Sequence, residues 1–142
     1  DPHNLGAIIR SAETAGAHGV IIPKRRAAGL TAVAARASAG ALAYMPVHKA
    51  VNLAALIDTL KERGVWVFGA EADGNVGLYE ADFAGPTAIV IGSEGEGISR
   101  LIREKCDFIV SIPMRGKVNS LNASNAAAVL LFEAVRRRTR GK

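Results

Sequence analysis

Cysteine and long apolar runs are scarce in this 142-residue chain, and aromatic residues make up only 5% of it. The single cysteine, Cys106, allows no internal disulfide bond and no cysteine-based metal cluster, which excludes disulfide scaffolds and zinc fingers and is typical of a reducing compartment. No apolar run approaches the roughly eighteen residues of a membrane span, and no basic-then-apolar leader precedes the first helical pattern. The sequence therefore predicts a soluble, cytoplasmic protein.

Acidic residues do not outnumber basic ones in this chain, and the excess of basic residues is confined to the carboxyl-terminal end. The formal charge is +5. It comes from five bases near the carboxyl terminus that have no acid among them, namely Arg136, Arg137, Arg138, Arg140 and Lys142. Such a tail is typical of a protein with a polyanionic partner, but also of a solvated helix end stabilised by its own dipole. Charge alone leaves both interpretations open.

Short apolar strands alternate with helical patterns along the whole chain. The patterns predict strands at 19–22, 43–47, 65–69, 87–91 and 108–112. They predict helices at 4–15, 31–39, 52–64, 98–105 and 124–138, with a loop-rich connection at 71–86. Continuously apolar strands between helices are typical of an α/β domain, so we expect one domain over 1–142 with a parallel sheet covered by helices on both faces.

A first polar cluster opens the first helix. Asn4 can cap that helix, and Gly6 and Arg10 are four residues apart and so share one helix face. A glycine beside a guanidinium lets a ligand approach closely while the guanidinium holds a phosphate or carboxylate. The alternative is a capped helix with a solvated arginine.

A second cluster is the glycine-rich turn 92–97, which follows a buried strand. Ligands bind at the carboxyl ends of parallel strands, so the place suits a site. The glycine spacing matches neither a dinucleotide fingerprint nor a phosphate loop. Glu94 and Glu96 would repel a pyrophosphate but suit hydroxyl groups or a cation, which favours a nucleoside-like or positively charged ligand. The alternative is a tight strand-to-helix connection with exposed acids.

The third cluster, 112–125, is the most informative. This segment has more hydrogen-bonding side chains than the start of one helix needs, namely Ser120, Asn122 and Asn125. Asn122 or Ser124 can serve as a simple cap. We interpret Met114 as packing and Cys106 as structural. No carboxylate pair, nucleophile-and-base pair or metal-ligand spacing occurs anywhere in the sequence, so no metal site is expected.

Together the three clusters resemble, in order, the three motifs of the SpoU-TrmH family of knotted RNA methyltransferases, which is part of the SPOUT superfamily. The family pattern N-x-G-x-x-x-R matches Asn4, Gly6 and Arg10, and I-G-x-E-x-x-G matches Ile91, Gly92, Glu94 and Gly97. The pattern I-P-M followed by S-L-N-x-S matches 112–114 and 120–124. The start of the chain and the Glu-Gly-Glu-Gly turn look most like the bacterial branch that methylates a guanosine ribose in large-subunit ribosomal RNA. Within the same family, methylation of a transfer-RNA guanosine and antibiotic-resistance methylation of ribosomal RNA stay open, as does a silent RNA-binding protein of the same fold.

The resemblance implies a trefoil knot in the carboxyl half, S-adenosylmethionine as cofactor, no metal, and RNA as partner. It implies a catalytic set of Asn4, Arg10, Glu94, Ser120 and Asn122. It implies cofactor contacts from Gly92, Ile112 and Leu121, completed by Gly69, Ala70 and Glu71. We expect Gly92 to let the backbone approach the adenosyl group, so that a bulky side chain there blocks the cofactor and leaves the fold intact.

The resemblance leaves the role of Arg10 open. A guanidinium keeps its proton in proteins and is therefore an unusual base, so Arg10 acts either as the base with help from an RNA phosphate or as the clamp for that phosphate. The family also has a strand before the first motif, and many members have an upstream RNA-binding domain. We expect both to lie upstream of this sequence.

The resemblance also implies a homodimer in which Arg10 of one subunit lies near the cofactor site of the other. The last helix supports this expectation, because its apolar residues occupy more than one face: Val129, Leu130, Leu131, Phe132 and Val135. A Rossmann-type enzyme is the remaining alternative, and it is disfavoured because the fingerprint glycines and the ribose-binding acid are missing.

Overall fold

The computed structural model describes residues 2–25 and 32–139. Asp1, the predicted helix start at Thr31 and the tail bases Arg140 and Lys142 therefore lie outside the described residues. The chain divides into two compact units, 1–53 and 54–142. Among the described residues, no helix has both the length and the apolar character needed to cross a membrane.

The first unit combines two helices with two parallel strands. Its elements are α1 (Pro2–Thr14), β1 (Val20–Pro23), α2 (Ala32–Ala37), a 3-10 turn (Ala41–Ala43) and β2 (Val47–Ala50). The two strands pair in parallel with Val20 opposite Val47, and α1 packs against α2. The apolar stripe that predicted α1 faces inward, since Ile9 and Ala12 are buried. The predicted strand at 43–47 is wrong: residues 41–43 form the 3-10 turn, and the strand starts after Pro46.

The second unit carries a four-stranded parallel sheet. Helix α3 (Leu53–Glu62) leads into β3 (Trp66–Ala70), β4 (Val76–Gly77), a 3-10 turn (Leu78–Glu80), β5 (Thr87–Ile91), α4 (Arg100–Lys105), β6 (Phe108–Ser111) and α5 (Ala123–Thr139). The strand order is β4-β6-β3-β5. Strand and helix positions agree with the sequence patterns within about two residues, but β4 and its 3-10 turn fall in the segment predicted as loop. The expectation of one sheet is also wrong, because the described strands form two sheets, of two and four strands.

The core of the second unit lies between the sheet and α5. Six buried residues form it, namely Phe68, Leu78, Ala81, Phe83, Val110 and Leu130. The rings of Phe68 and Phe83 have centroids 4.7 Å apart and are tilted. Burying each such ring stabilises the fold by about 1.5–3 kcal/mol. This core fixes β3 and β6 as rigid supports for the loops at their carboxyl ends.

The connection 71–75 crosses over strand β6. Strands β3 and β4 are not neighbours, since β6 lies between them, so the five residues that join them pass across β6 near its carboxyl end. Gly74 lies against the strand backbone: a Cβ there would lie 2.6 Å from the Ile109 carbonyl oxygen and 2.7 Å from the Val110 carbonyl carbon. The Glu71 N–H donates to the Val110 carbonyl at 3.1 Å. The crossing is therefore close enough to require glycine.

Candidate functional site

A cavity of about 510 Å³ opens at the carboxyl ends of β3, β5 and β6. Because these strands are parallel, the segments that follow them meet at one edge of the sheet. The lining residues fall within 70–72 at the end of β3, within 91–97 at and after the end of β5, and within 110–126, between the end of β6 and the first turn of α5. The volume is within the usual range of small-molecule sites, about 300–1,000 Å³.

Glu71 joins the end of β3 to the far end of the glycine-rich turn. Its Oε1 accepts from the Ile98 N–H at 3.4 Å and lies 3.4 Å from Nη1 of Arg103. Arg103 also donates to Asp73 at 3.0 Å, and this hydrogen bond is the main cause that raises the pKa of the guanidinium. The Glu71 carboxylate thus lines the cavity and at the same time holds the turn to the sheet.

The glycine-rich turn folds back on itself. The Gly97 N–H donates to the Ser93 carbonyl at 2.9 Å, and both Gly95 and Gly97 have positive φ, at 82° and 71°. A Cβ on Gly92 would lie 2.3 Å from the Gly97 carbonyl carbon and 2.5 Å from the Ile98 nitrogen. The expectation that a bulky residue at Gly92 leaves the fold intact is therefore wrong, because the space beside Gly92 is filled by the turn itself.

Asn122 caps helix α5 and also contacts the glycine-rich turn. Its Oδ1 accepts from the N–H groups of Ser124 at 2.9 Å and Asn125 at 3.3 Å, which is the usual N-cap pattern. The Ser124 hydroxyl donates to the same oxygen. With the oxygen fixed in this way, the amide nitrogen points to Glu94 and donates to its Oε1 at 2.9 Å. The cap and the site interpretations of Asn122 are thus compatible.

Comparison with known proteins identifies the family. The SpoU rRNA Methylase family matches residues 1–132. The chain belongs to this family. It is 52% identical over 139 residues to the 23S rRNA (guanosine-2'-O-)-methyltransferase RlmB of Ralstonia nicotianae, and 50% identical over 138 residues to RlmB of Shewanella oneidensis. These matches cover 98% and 97% of this chain and 56% of each relative. The chain thus spans about half the length of the curated relatives that it matches.

Solved SpoU structures share the fold. The SpoU methyltransferase AviRb from Streptomyces viridochromogenes, in complex with the cofactor AdoMet, superposes with a TM-score of 0.92 at 37% identity, covering 100% of this chain and 56% of that one. A TrmH/SpoU tRNA modifying enzyme from A. aeolicus superposes with a TM-score of 0.88 at 28% identity, covering 97% of this chain and 70% of that one. The mixed α/β architecture with parallel strands is therefore that of SpoU methyltransferases.

The cavity of this SpoU chain is lined by most of the residues that the sequence predicts for the cofactor site and the catalytic set. Five of the six residues predicted to contact the cofactor line the cavity, namely Ala70, Glu71, Gly92, Ile112 and Leu121. Three of the predicted catalytic residues also line it, namely Glu94, Ser120 and Asn122. Gly69 is buried and does not line the cavity: a Cβ there would lie 2.9 Å from the Cys106 sulfur. Cys106 donates to the Ile102 carbonyl at 3.4 Å, and burial raises the pKa of its thiol, which suits the structural interpretation.

The first SpoU motif lies in the other unit, on α1. Asn4 is half-buried and Arg10 is exposed. The expectation that Asn4 caps the helix is wrong, because α1 begins at Pro2 and Asn4 lies within its first turn. Gly6 is buried in this structure, which does not agree with the expectation that a ligand approaches Arg10 closely over this glycine. Among the described residues, no group of three or more histidine, cysteine, aspartate or glutamate side chains is arranged to hold a metal ion.

Sequence reasoning missed several residues that line the cavity. Met114 lines it, although its type predicts packing, and the other additions are Ala72, Ile91, Ser93, Gly95, Gly97, Val110, Asn119, Ala123 and Ala126. Most lie between or beside motif residues on the same loops, so extending each motif to the whole strand-end segment would have found them. Small side chains such as Ala123 and Ala126 carry no chemical signal of their own.

Proposed function

We propose that this chain is a domain that transfers a methyl group from S-adenosylmethionine to a ribose 2'-hydroxyl in RNA, and that the RNA is large-subunit ribosomal RNA methylated at a guanosine. The observation that carries the proposal is the cavity at the carboxyl edge of the sheet, in which the second and third SpoU motifs meet through the hydrogen bond between Asn122 and Glu94. The RlmB relatives, whose sequences are 52% and 50% identical to this chain, support ribosomal RNA as the substrate. A cytoplasmic location goes with this substrate.

The residues around the cavity fit S-adenosylmethionine. Ile112, Leu121 and Ala126 offer an apolar wall for an adenine ring, while Glu94 places a carboxylate at the lining, where a positively charged sulfonium gains from it. The cofactor supplies a methyl group on a good leaving group, so the protein needs no metal for activation. The chain must instead align the ribose hydroxyl and take up its proton.

The polar residues of the site have distinct roles in this proposal. The Glu94 carboxylate holds the Asn122 amide, and that contact keeps the glycine-rich turn next to the start of α5. Ser120, beside them in the lining, offers a hydroxyl to the ribose or the cofactor. Arg10 holds an RNA phosphate and stabilises the developing alkoxide, or takes the proton itself with help from that phosphate. Asn4 belongs to the same motif and positions that end of the substrate.

The trefoil knot and the homodimer are part of the proposal. The close passage of 71–75 across β6 at Gly74 supports the knot, since it places a chain crossing within the carboxyl half. Helix α5 supports the dimer: Leu130 is buried in the core, whereas Val129 and Phe132 are 37% and 47% exposed. A second copy would cover these side chains and bring an Arg10 to each cofactor site.

Transfer RNA is the second candidate substrate. The observation that favours it is the likeness to the tRNA modifying enzyme of A. aeolicus, whose TM-score is 0.88. The same assay separates the two candidates if both RNAs are offered.

The test is transfer of a labelled methyl group from S-adenosylmethionine to protein-free ribosomal RNA and to transfer RNA, followed by mapping of the methylated ribose. We expect label in one guanosine of ribosomal RNA. Arg10→Ala should abolish transfer and leave cofactor affinity within a few fold, while Arg36→Ala, a control at an exposed arginine of the same unit, should change neither. Binding of RNA without methyl transfer to either RNA would instead indicate a silent RNA-binding protein.

A further inference from the structure

Most basic side chains of the second unit have a partner. Ten lysine and arginine residues lie in 54–139. Seven of them reach a carboxylate or a backbone carbonyl, namely Lys61, Arg100, Arg103, Lys105, Arg136, Arg137 and Arg138. Among the described residues, Arg63, Arg115 and Lys117 have no such partner. Two of these three unpaired cations are on one loop.

That loop forms part of the cavity wall. Arg115 and Lys117 are exposed, and they are flanked by residues that line the cavity: Met114 on one side and 119–122 on the other. The sequence contains no aspartate or glutamate from 108 to 132, so no acid of this segment offsets the two charges. Gly116 between them has no atom within 4 Å of the position of a Cβ, and Val118 is 76% exposed. The loop is therefore basic and open to a large ligand.

The other side of the cavity carries the opposite charge. The glycine-rich turn contributes Glu94 to the lining, and Glu96 is exposed on the same turn. A polyanion is repelled by that turn and attracted by the basic loop, so the charges define the side on which a nucleic acid strand passes. Phosphate oxygens match the two-pronged guanidinium of Arg115 and the ammonium of Lys117.

We propose that Arg115 and Lys117 bind phosphates of the RNA strand next to the nucleotide that enters the cavity. This inference rests on the proposed function, since it assigns the path of the substrate at the same site. The two side chains position the strand and take no part in methyl transfer. They act on the affinity for RNA and leave the cofactor pocket unchanged.

The test compares two double variants with the same change of charge. Arg115→Ala/Lys117→Ala removes the proposed contacts. Arg63→Ala/Arg100→Ala removes two exposed cations elsewhere: Arg63 lies just before β3, at the opposite edge of the sheet, and Arg100 lies on α4. Binding to protein-free large-subunit ribosomal RNA is measured over a range of salt concentrations, cofactor binding by calorimetry, and methyl transfer as KM and kcat.

We expect the loop variant to flatten the plot of log K against log salt by about 1.4, since each phosphate contact on a single strand contributes roughly 0.7. KM for RNA should rise tenfold or more, with kcat and cofactor affinity within about twofold. Arg115→Lys/Lys117→Arg should keep most of the slope. The proposal is overturned if the slope of the loop variant is unchanged, or if the control variant flattens it equally. If the wild-type protein binds RNA but transfers no methyl group, the proposed function fails, and the salt slopes still decide this inference.

Discussion

Asn122 shows how one side chain supports both the fold and the site. Its oxygen caps α5, and its nitrogen donates to Glu94 across the cavity wall. The third motif predicts a helix start with more hydrogen-bonding side chains than a cap needs. Its spacing does not show that one residue, Asn122, both caps the helix and contacts the rest of the site. Only the three-dimensional contact with Glu94, 28 residues earlier in the chain, reveals this.

Two substitutions separate these roles. Asn122→Asp keeps a good N-cap, so stability should hold, but it turns the donor into a second carboxylate facing Glu94 and should sharply reduce cofactor binding. Asn122→Ala removes both contacts and should cost about 1 kcal/mol of unfolding free energy as well. Urea unfolding and calorimetric titration with S-adenosylmethionine measure the two effects. Full cofactor affinity in Asn122→Asp would mean that the contact with Glu94 is incidental.

Glu133 is a buried acid on α5 whose charge is stabilised by Arg136 one turn away. Its side chain is only 6% exposed, and the hydrogen bond from Arg136 lowers the pKa of the carboxyl below its ordinary value of 4.5, although burial acts in the opposite direction. The unfolded chain therefore takes up a proton before the folded one does as the pH falls. The contribution to stability is present above pH 4.5 and is lost as the pH falls through the lower pKa of the folded state.

The ionisation of Glu133 should be visible in how the unfolding free energy changes with pH. Between pH 6 and pH 3, Glu133→Gln should lose less unfolding free energy than the wild-type protein, because the glutamine has no charge to lose. Urea unfolding at several pH values measures it, and Glu104→Gln, an exposed acid on α4, is the control. Equal acid losses in wild type and Glu133→Gln would show that the ion pair does not influence stability.

Among the helices and strands, the sequence patterns predict the long elements with a clear apolar period and miss the short elements. Helix α5 and strand β5 lie where their apolar patterns placed them, within one residue. Strand β4 has two residues, too few to show any period, and the strand predicted at 43–47 was displaced by a 3-10 turn. The crossing at Gly74 was not predictable either, because neither the glycine nor its neighbours indicate which strand lies beneath.

The crossing predicts a specific cost for a single methyl group. Gly74→Ala places a Cβ against the backbone of Ile109 and Val110, and backbone cannot move aside as a flexible side chain can. We expect a loss of about 1–3 kcal/mol of unfolding free energy, as for other overpacked positions. Gly85→Ala is the matched control, since its nearest atom is Trp66 Cδ1 at 3.9 Å, and it should change stability by no more than about 0.5 kcal/mol. Equal stability of the two variants would contradict the close crossing.

At the scale of the whole molecule, the exposed apolar side chains of α5 bear on assembly. We expect light scattering to give twice the chain mass of 14.8 kDa. Phe132→Asp should give a monomer with an unchanged circular dichroism spectrum, because Phe132 is 47% exposed in one copy and is not part of its core. Leu101→Asp, on α4 and 56% exposed, should leave the dimer intact. A wild-type monomer that transfers methyl groups would exclude the proposed assembly.

We propose that the carboxyl-edge cavity of the second unit is the S-adenosylmethionine site. The most direct measurement is a crystal structure of the chain with S-adenosylhomocysteine, the product left after methyl transfer. We expect ligand density in this cavity, against Gly92, Ile112 and Leu121, with Glu94 and Asn122 still in contact. Density at another place on the chain, with this cavity empty, would show that the cofactor site is elsewhere.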